Sequence, residues 1–345
     1  MNTLATWGND LYSGKRSYNF VGRRRIWFIV TLVAVAISIL VPVLRGGFNL
    51  GIEFRGGSEF TVSNVKTTDT LVGEKAVKNL IGAQIPRVTN VAGNTMRVQT
   101  DKLTDNETVQ VRDSLAKAYG VTNEQVTSTF IGPTWGADVT NQAVLGLIIF
   151  VSLAAVLMAL YFRTWKMSLS ALGGMAATLI ITAGVYAVSD FEVTPSAIIG
   201  FLTVLSYSLY DTVVVFDKIR ENTSHIDSST RRTFAEEVNL AVNQTLVRSI
   251  NTMMVAVLPV AAVLFIGAGL LGAGTLRDLS LALFVGIIIG TAATLFVAAP
   301  LYAALRSREP ALERQAKRVQ SRREAAKAAG SAAADDAAKG SLAQA

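Results

Sequence analysis

A helix needs roughly 17 to 25 predominantly apolar residues to cross about 30 Å of hydrocarbon. Six stretches of the chain reach that length: Ile26 to Leu44, Ala143 to Phe162, Ser168 to Val188, Ser196 to Phe216, Ser249 to Gly267 and Leu279 to Ala303. They predict six transmembrane helices, numbered here as spans one to six. Between spans one and two the pattern changes to short β-rich runs at Glu59 to Ser63, Ile85 to Asn90, Thr95 to Thr100 and Gln125 to Ile131. Helical periodicity separates them at Thr70 to Ile81 and Asn106 to Tyr119. The order β-α-β-β-α-β, with Ala92-Gly93-Asn94 as hairpin turn, predicts a ferredoxin-like α+β domain. The resulting division is 1–25 N-terminal segment, 26–44 span one, 45–140 exported α+β domain, 141–305 spans two to six, and 306–345 a basic, Ala-rich tail.

Composition agrees with this class. The 345 residues are 51% hydrophobic and 17% charged, below the roughly 25% charge of globular chains, and mean hydropathy is +0.41. The absence of cysteine excludes disulfides and thiolate metal sites, and the single histidine, His225, excludes a zinc-binding histidine cluster, so no metal or cofactor is expected. A net charge of +7 would suggest nucleic acid in a soluble domain. Here the basic residues collect beside apolar segments, which is the signature of membrane topology, and no nucleic-acid partner is expected.

Lys15, Arg16 and Arg23 to Arg25 precede span one, Arg163 and Lys166 separate spans two and three, Lys218, Arg220, Arg231 and Arg232 separate four and five, and Arg306 and Arg308 follow six. This distribution predicts cytoplasmic termini. The loop Ser189 to Thr194 has Asp190 and Glu192 but no basic residue, as an outside loop should, and Thr194 and Pro195 read as N-cap and first helical residue of span four. Arginines before span one mimic a secretory signal. The apolar run is too long for one and ends without an Ala-x-Ala site, so it is read as an uncleaved anchor.

Polar residues inside spans carry the chemistry. Asp211 interrupts span four; a charge at mid-membrane costs at least about 2.5 to 3.5 kcal/mol and typically belongs to an ion pathway or proton relay. Thr203, Tyr207 and Asp211 recur every four residues with Ser208 beside them, making a stripe. Span five carries another, Gln244, Arg248, Asn251 and Thr252. The two spans join on one side, so Asp211 and Arg248 fall at comparable depth and are placed to pair. Burial and an adjacent cation act on a carboxylate in opposite senses, which makes a movable pair a proton switch. The competing reading is a static ion pair, which contributes little net stability. Asp217, Lys218, Arg220 and Glu221 lie one to three turns further on and read as interfacial anchors, with Asn239 and Asn243 bracing the junction.

Gly286-Ile-Ile-Ile-Gly290 in span six and Gly173-Gly174 in span three predict close helix packing, within the chain or against a partner. Pro259 and Pro300 predict kinks or breaks, and Gly267, Gly269, Gly272 and Gly274 a flexible outer loop. In the tail, Arg308, Arg314, Lys317, Arg318, Arg322 and Arg323 suggest a basic helix followed by a disordered Ala/Gly/Ser-rich end.

Four motifs then carry a resemblance: Phe48-Asn-Leu-Gly-Ile-Glu-Phe-Arg-Gly-Gly57, Ile131-Gly-Pro-Thr-Trp-Gly136, the run Tyr207 to Asn222, and Asn243-Gln-Thr-Leu-Val-Arg-Ser249. Over about residues 20 to 305 the chain resembles the SecD/SecF family of protein-export membrane subunits, on its SecF side, within the resistance-nodulation-division superfamily. The resemblance implies a bacterial plasma-membrane protein that works with a SecD-like subunit and the SecYEG channel. It implies use of the proton-motive force to draw out preproteins that SecA has pushed in, with Asp211 and Arg248 at the family's membrane carboxylate and arginine. The motif loop Gly51, Glu53, Gly56 and Gly57 departs from the family pattern only in having glutamate where aspartate is usual.

Twelve spans are expected in this superfamily and six are present, so a partner chain is predicted. An enzyme is not expected: Tyr210-Asp211 imitates half of an intramembrane aspartyl protease, but a second aspartate in Gly-x-Gly-Asp context is absent, as are HExxH, GxSxG and P-loop motifs. The alternatives are a half-transporter exporting lipid or small molecules, and a passive assembly scaffold.

Overall fold

A computed structural model describes residues 3–81, 86–162, 164–268 and 274–342. Arg163, Ile85, Gly269 and Gly272, named above, lie outside them. The six predicted spans form long helices at Arg24–Arg45, Thr134–Phe162, Trp165–Ser189, Pro195–Asn222, Phe234–Gly267 and Leu276–Arg306. Spans three, four and six form the buried middle of the bundle, while one, two and five expose apolar side chains such as Leu32, Leu160 and Val255. Thr194 caps span four as predicted, its hydroxyl accepting from the Ala197 amide at 3.2 Å. A capping box from Thr233 and Glu236 starts span five well before its apolar stretch.

Small residues set the packing. A side chain on Gly286 would collide with Val204, one on Gly290 would press on Ser208, and one on Gly200 would meet Ala282 at 2.6 Å. The glycine pair of span six is therefore used inside the chain, against span four, and Gly174 seats span three on Ala298 of span six. Gly286→Val is expected to destabilise the bundle by about 1 to 3 kcal/mol through overpacking. The companion change Val204→Ala should recover much of that loss in a thermal melt.

Pro300 breaks the helical ladder as predicted, whereas Pro259 lies inside a continuous α-helix. Pro300 lacks the N–H for the helical ladder, and its ring would clash with the carbonyl four residues back, so the ladder widens into a π-helical segment at Thr294–Ala298. A second π segment, Val263–Ala268, follows Pro259.

The α+β domain has four strands, β1 (Gly57–Val62), β2 (Arg87–Ala92), β3 (Thr95–Thr100) and β4 (Val126–Ile131), in antiparallel order β2-β3-β1-β4. This is the ferredoxin-like order, with helices Thr70–Ile81 and Asp105–Tyr119 on one face. Alternation along β1 and β3 buries Phe60, Val62, Met96 and Val98 against those helices. The same alternation turns Glu59, Arg97 and Gln99 to the opposite face, toward the bundle.

The tail is helical over Pro310–Leu342, where the Ala/Gly/Ser-rich end was expected to be disordered. Alanine has the highest helix propensity of any residue, which outweighs the low hydrophobicity that suggested disorder. Its proximal part docks on the segment before span five: Gln315 donates to the carbonyls of Ser229 and Arg232, and Leu312 and Val319 are buried.

Candidate functional site

Asp211 is 3% exposed and lies where spans three, four, five and six meet. The Ser249 hydroxyl donates to Asp211 Oδ1 at 2.7 Å. Its other oxygen, Oδ2, and the hydroxyl of Tyr207 one turn earlier are buried with no hydrogen bond of good geometry, although the Thr294 and Thr291 hydroxyls lie near enough to act on them. An unpaired carboxylate oxygen in a buried site has a high free-energy cost, and such exceptions concentrate where a proton, water or partner is exchanged. Hydroxyls surround it. Thr212 and Thr294 lie 3.0 Å apart, and Ser208 and Thr178 lie 3.5 Å apart. Thr294 sits at the start of the π segment forced by Pro300, and Ser208 sits against Gly290, so the helix break and the glycine pair together bring span six to Asp211.

Arg248 does not pair with Asp211 in this structure. Successive helix residues are rotated by about 100°, and Ser249 is the one that faces span four. Arg248 consequently points away, into a groove of about 880 Å³ on the side of the termini, although its field still reaches the carboxylate. The rest of its stripe goes with it: Gln244, Asn251 and Thr252 line that groove beside Tyr12, Asp217 and Lys218. Gln244 is held by Asn222 and by the Tyr12 carbonyl. Asp217 is exposed there and accepts a 2.6 Å hydrogen bond from Tyr161. On span four, Thr203 is exposed and satisfies its own helix at Ile199, so it does not join the Asp211 cluster, whereas Ser208 does. Ser249, Thr178, Thr212 and Thr294 were not singled out beforehand. Asn239 and Asn243, expected to brace the junction of spans four and five, clamp the backbone of residues 18 to 21 before span one.

At the other end of the bundle the motif loop joins the membrane helices to the α+β domain. Leu50 and Val193 form a parallel bridge, with Gly51 N donating to Val193 O at 2.9 Å and Val193 N to Asn49 O at 2.7 Å. Arg97 of β3 lies 3.1 Å from Glu192 and 3.5 Å from Glu59, and Arg277, beside the start of span six, donates to the Asn90 and Val91 carbonyls of β2. Gly57 has φ +142, and a side chain there would strike the Thr100 carbonyl; Gly136 would strike Phe54. This is the physical need for glycine in the first two motifs.

Glu53 shares that joint. Burial, together with the neighbouring carboxylates Glu192 and Glu59, pushes its carboxyl above the ordinary 4.5, against the lowering effect of a backbone hydrogen bond and Arg97. With the folded value raised, the protonated side chain favours the folded joint, and that contribution is lost as pH rises from about 4.5 through the folded value. Glu53→Gln is therefore expected to flatten the acid limb of a pH–stability curve for the full chain and raise stability at neutral pH. Lower stability at pH 7 would contradict this.

The chain matches the family model described as "Protein export membrane protein SecD/SecF, C-terminal" over residues 110–308, and "SecD/SecF GG Motif" over residues 46–63. It is 40% identical over 338 residues to the protein translocase subunit SecF of Streptomyces coelicolor, covering 96% of this chain and 88% of that protein. It is also 40% identical to the SecF subunit of Mycobacterium tuberculosis H37Rv, over 93% of this chain and 74% of that one. Against the SecDF subunit of Thermus thermophilus it is 31% identical, over 86% of this chain but only 40% of the longer protein. The crystal structure of SecDF from that organism superposes with a TM-score of 0.75 at 28% identity, spanning 85% of this chain and 39% of that one. A SecDF structure in a super-membrane-facing form gives 0.58 at 27% identity, over 91% and 40%. The motifs, the six-span layout with its ferredoxin-like domain and these relatives agree: the chain belongs to the SecD/SecF family of protein-export membrane proteins.

Proposed function

We propose that this chain, an accessory subunit of the Sec translocase, pairs with a SecD-like subunit and uses the proton-motive force to complete preprotein export through SecYEG after SecA has acted. The observation that carries this reading is Asp211, buried with one oxygen held by Ser249 and the other, with only the Thr294 hydroxyl near it, in no hydrogen bond of good geometry. A proton arriving at Oδ2 neutralises the carboxylate and removes its attraction for the Arg248 guanidinium in the neighbouring groove, so the two protonation states favour different positions of that side chain. The helices that bracket Asp211 are those whose far ends hold the exported domain, span four through Glu192 and Val193 and span six through Arg277. Rearrangement at the carboxylate is thereby transmitted about 25 Å along rigid helix. One proton crossing 100 mV supplies about 2.3 kcal/mol, enough to bias a domain rotation and too little to unfold cargo at once, so pulling is repeated.

The termini are cytoplasmic in this reading, and no covalent chemistry is assigned to the chain. Span five has no buried residue in its most apolar window, a face for the partner's spans. In longer SecDF relatives, of which this chain spans about 40%, the remainder occupies the same polypeptide. The test is preprotein release from membrane vesicles with and without a proton gradient, comparing wild type with Arg248→Met. Gradient stimulation is expected to disappear; an unchanged response would exclude Arg248 from the coupling and favour a passive scaffold.

A further inference from the structure

At the end of the bundle that carries both termini lies a cavity of about 860 Å³, remote in sequence and chemistry from Asp211. It is lined by the backbone-rich segment from Gly14 to Gly22, and its charges come from Arg24 and Arg25 at the start of span one, Arg232 and Glu236 at the start of span five, and Arg323 of the C-terminal helix. Glu236 is committed to Arg323 through two 2.8 Å bonds, one to each carboxylate oxygen. Arg232 touches Glu237 only at 3.8 Å, and among the described residues no carboxylate pairs with Arg24 or Arg25. Three guanidinium groups thus converge on one cavity with little to neutralise them. Leu240 supplies part of its apolar wall.

We propose that this cavity binds the phosphodiester headgroup of an anionic phospholipid from the leaflet on the side of the termini. Guanidinium forks match phosphate oxygens in pairs, and basic pockets between membrane helices are characteristic seats for such headgroups. The surface directly below supplies the distinction from a free phosphate. Ile29 and Val33 follow Arg25 at four and eight residues, on the same helical face, and both are more than half exposed, so an acyl chain has an apolar track leading out of the cavity. The bound lipid would also tie span one, span five and the C-terminal helix together, since each contributes an arginine. The inference rests on the chain being a multispanning membrane protein, and not on proton coupling.

The experiment uses the full-length chain in native mass spectrometry, with phosphatidylglycerol competing against phosphatidylcholine. Wild type is expected to retain one phosphatidylglycerol preferentially. Each arginine near an anionic surface contributes about fivefold, so Arg25→Gln with Arg232→Gln should weaken retention about thirtyfold. Arg308→Gln with Arg314→Gln removes the same charge from exposed tail-proximal positions outside the cavity and should change it less than twofold. Leu240→Trp fills the cavity without altering charge and should also abolish the preference, which keeps the test decisive if the arginine variant misinserts. Equal losses in the two double variants, or undiminished binding in Leu240→Trp, would reduce the effect to diffuse surface charge and overturn the site. Complete displacement by millimolar inorganic phosphate would overturn the lipid assignment in favour of a small-anion site.

Discussion

Vesicles carrying Asp211→Asn are expected to release preprotein at one rate whether or not a proton gradient is present, a loss of the whole gradient-dependent component. Asparagine keeps the shape of the buried side chain, and its carbonyl still accepts from Ser249, so helix packing survives. What it removes is ionisation at the oxygen that has no hydrogen bond of good geometry. Co-purification of the SecD-like subunit should therefore be unchanged. Ser249→Ala should give an intermediate phenotype, because a hydrogen bond to a charged group is worth about 1.5 to 3 kcal/mol and its loss leaves only the nearby Thr294 hydroxyl beside the carboxylate. If Asp211→Asn loses the partner along with the activity, the carboxylate is structural and the coupling must be sought elsewhere.

The residues that sequence made legible are those governed by local rules. Span lengths follow from bilayer thickness, the Thr194 cap from side-chain chemistry, and the ferredoxin-like order from strand and helix alternation. Asp211 stood out because charge in hydrocarbon is rare. Its true partner did not, because depth along a helix can be counted from sequence whereas rotational phase depends on which face packs inward. A shift of one residue exchanges Arg248 for Ser249 at the contact. Thr294 was hidden for a different reason: the break at Pro300 is local and legible, but the contacts of Gly286 and Gly290 with span four that bring Thr294 to the site are tertiary in origin. A signal was available in retrospect, since Gly286, Gly290 and Thr294 follow one another at four-residue intervals and share one face.

The second large effect is expected at the joint between the membrane helices and the α+β domain. Arg97→Met keeps the side-chain stem and removes the charge, leaving Glu59 and Glu192 bridged only by the neutral Gln99 amide in a site that Glu53 also borders. The Arg97 and Glu192 side chains are only 14% and 12% exposed, so deleting the cation strands buried carboxylates and should destabilise the joint by about 2 to 3 kcal/mol, discounted from a fully buried pair for partial solvation. The damage should be confined. The domain core of Phe60, Val62, Met96 and Val98 lies on the other face of the sheet, so its protection from hydrogen exchange should persist. The amides of Gly51 and Val193, which hold the bridge between the motif loop and span four, should exchange at least tenfold faster. Gradient-driven release should fall as far as in Asp211→Asn although Asp211 itself is untouched, because the stroke would no longer reach the domain. Adding Glu192→Gln removes one stranded charge and should slow exchange again without restoring release, since an amide relieves the repulsion but does not rebuild the ion pair. Recovery of release in that double variant would mean that the joint needs only charge balance, and that Arg277 with the backbone bridge transmits the motion.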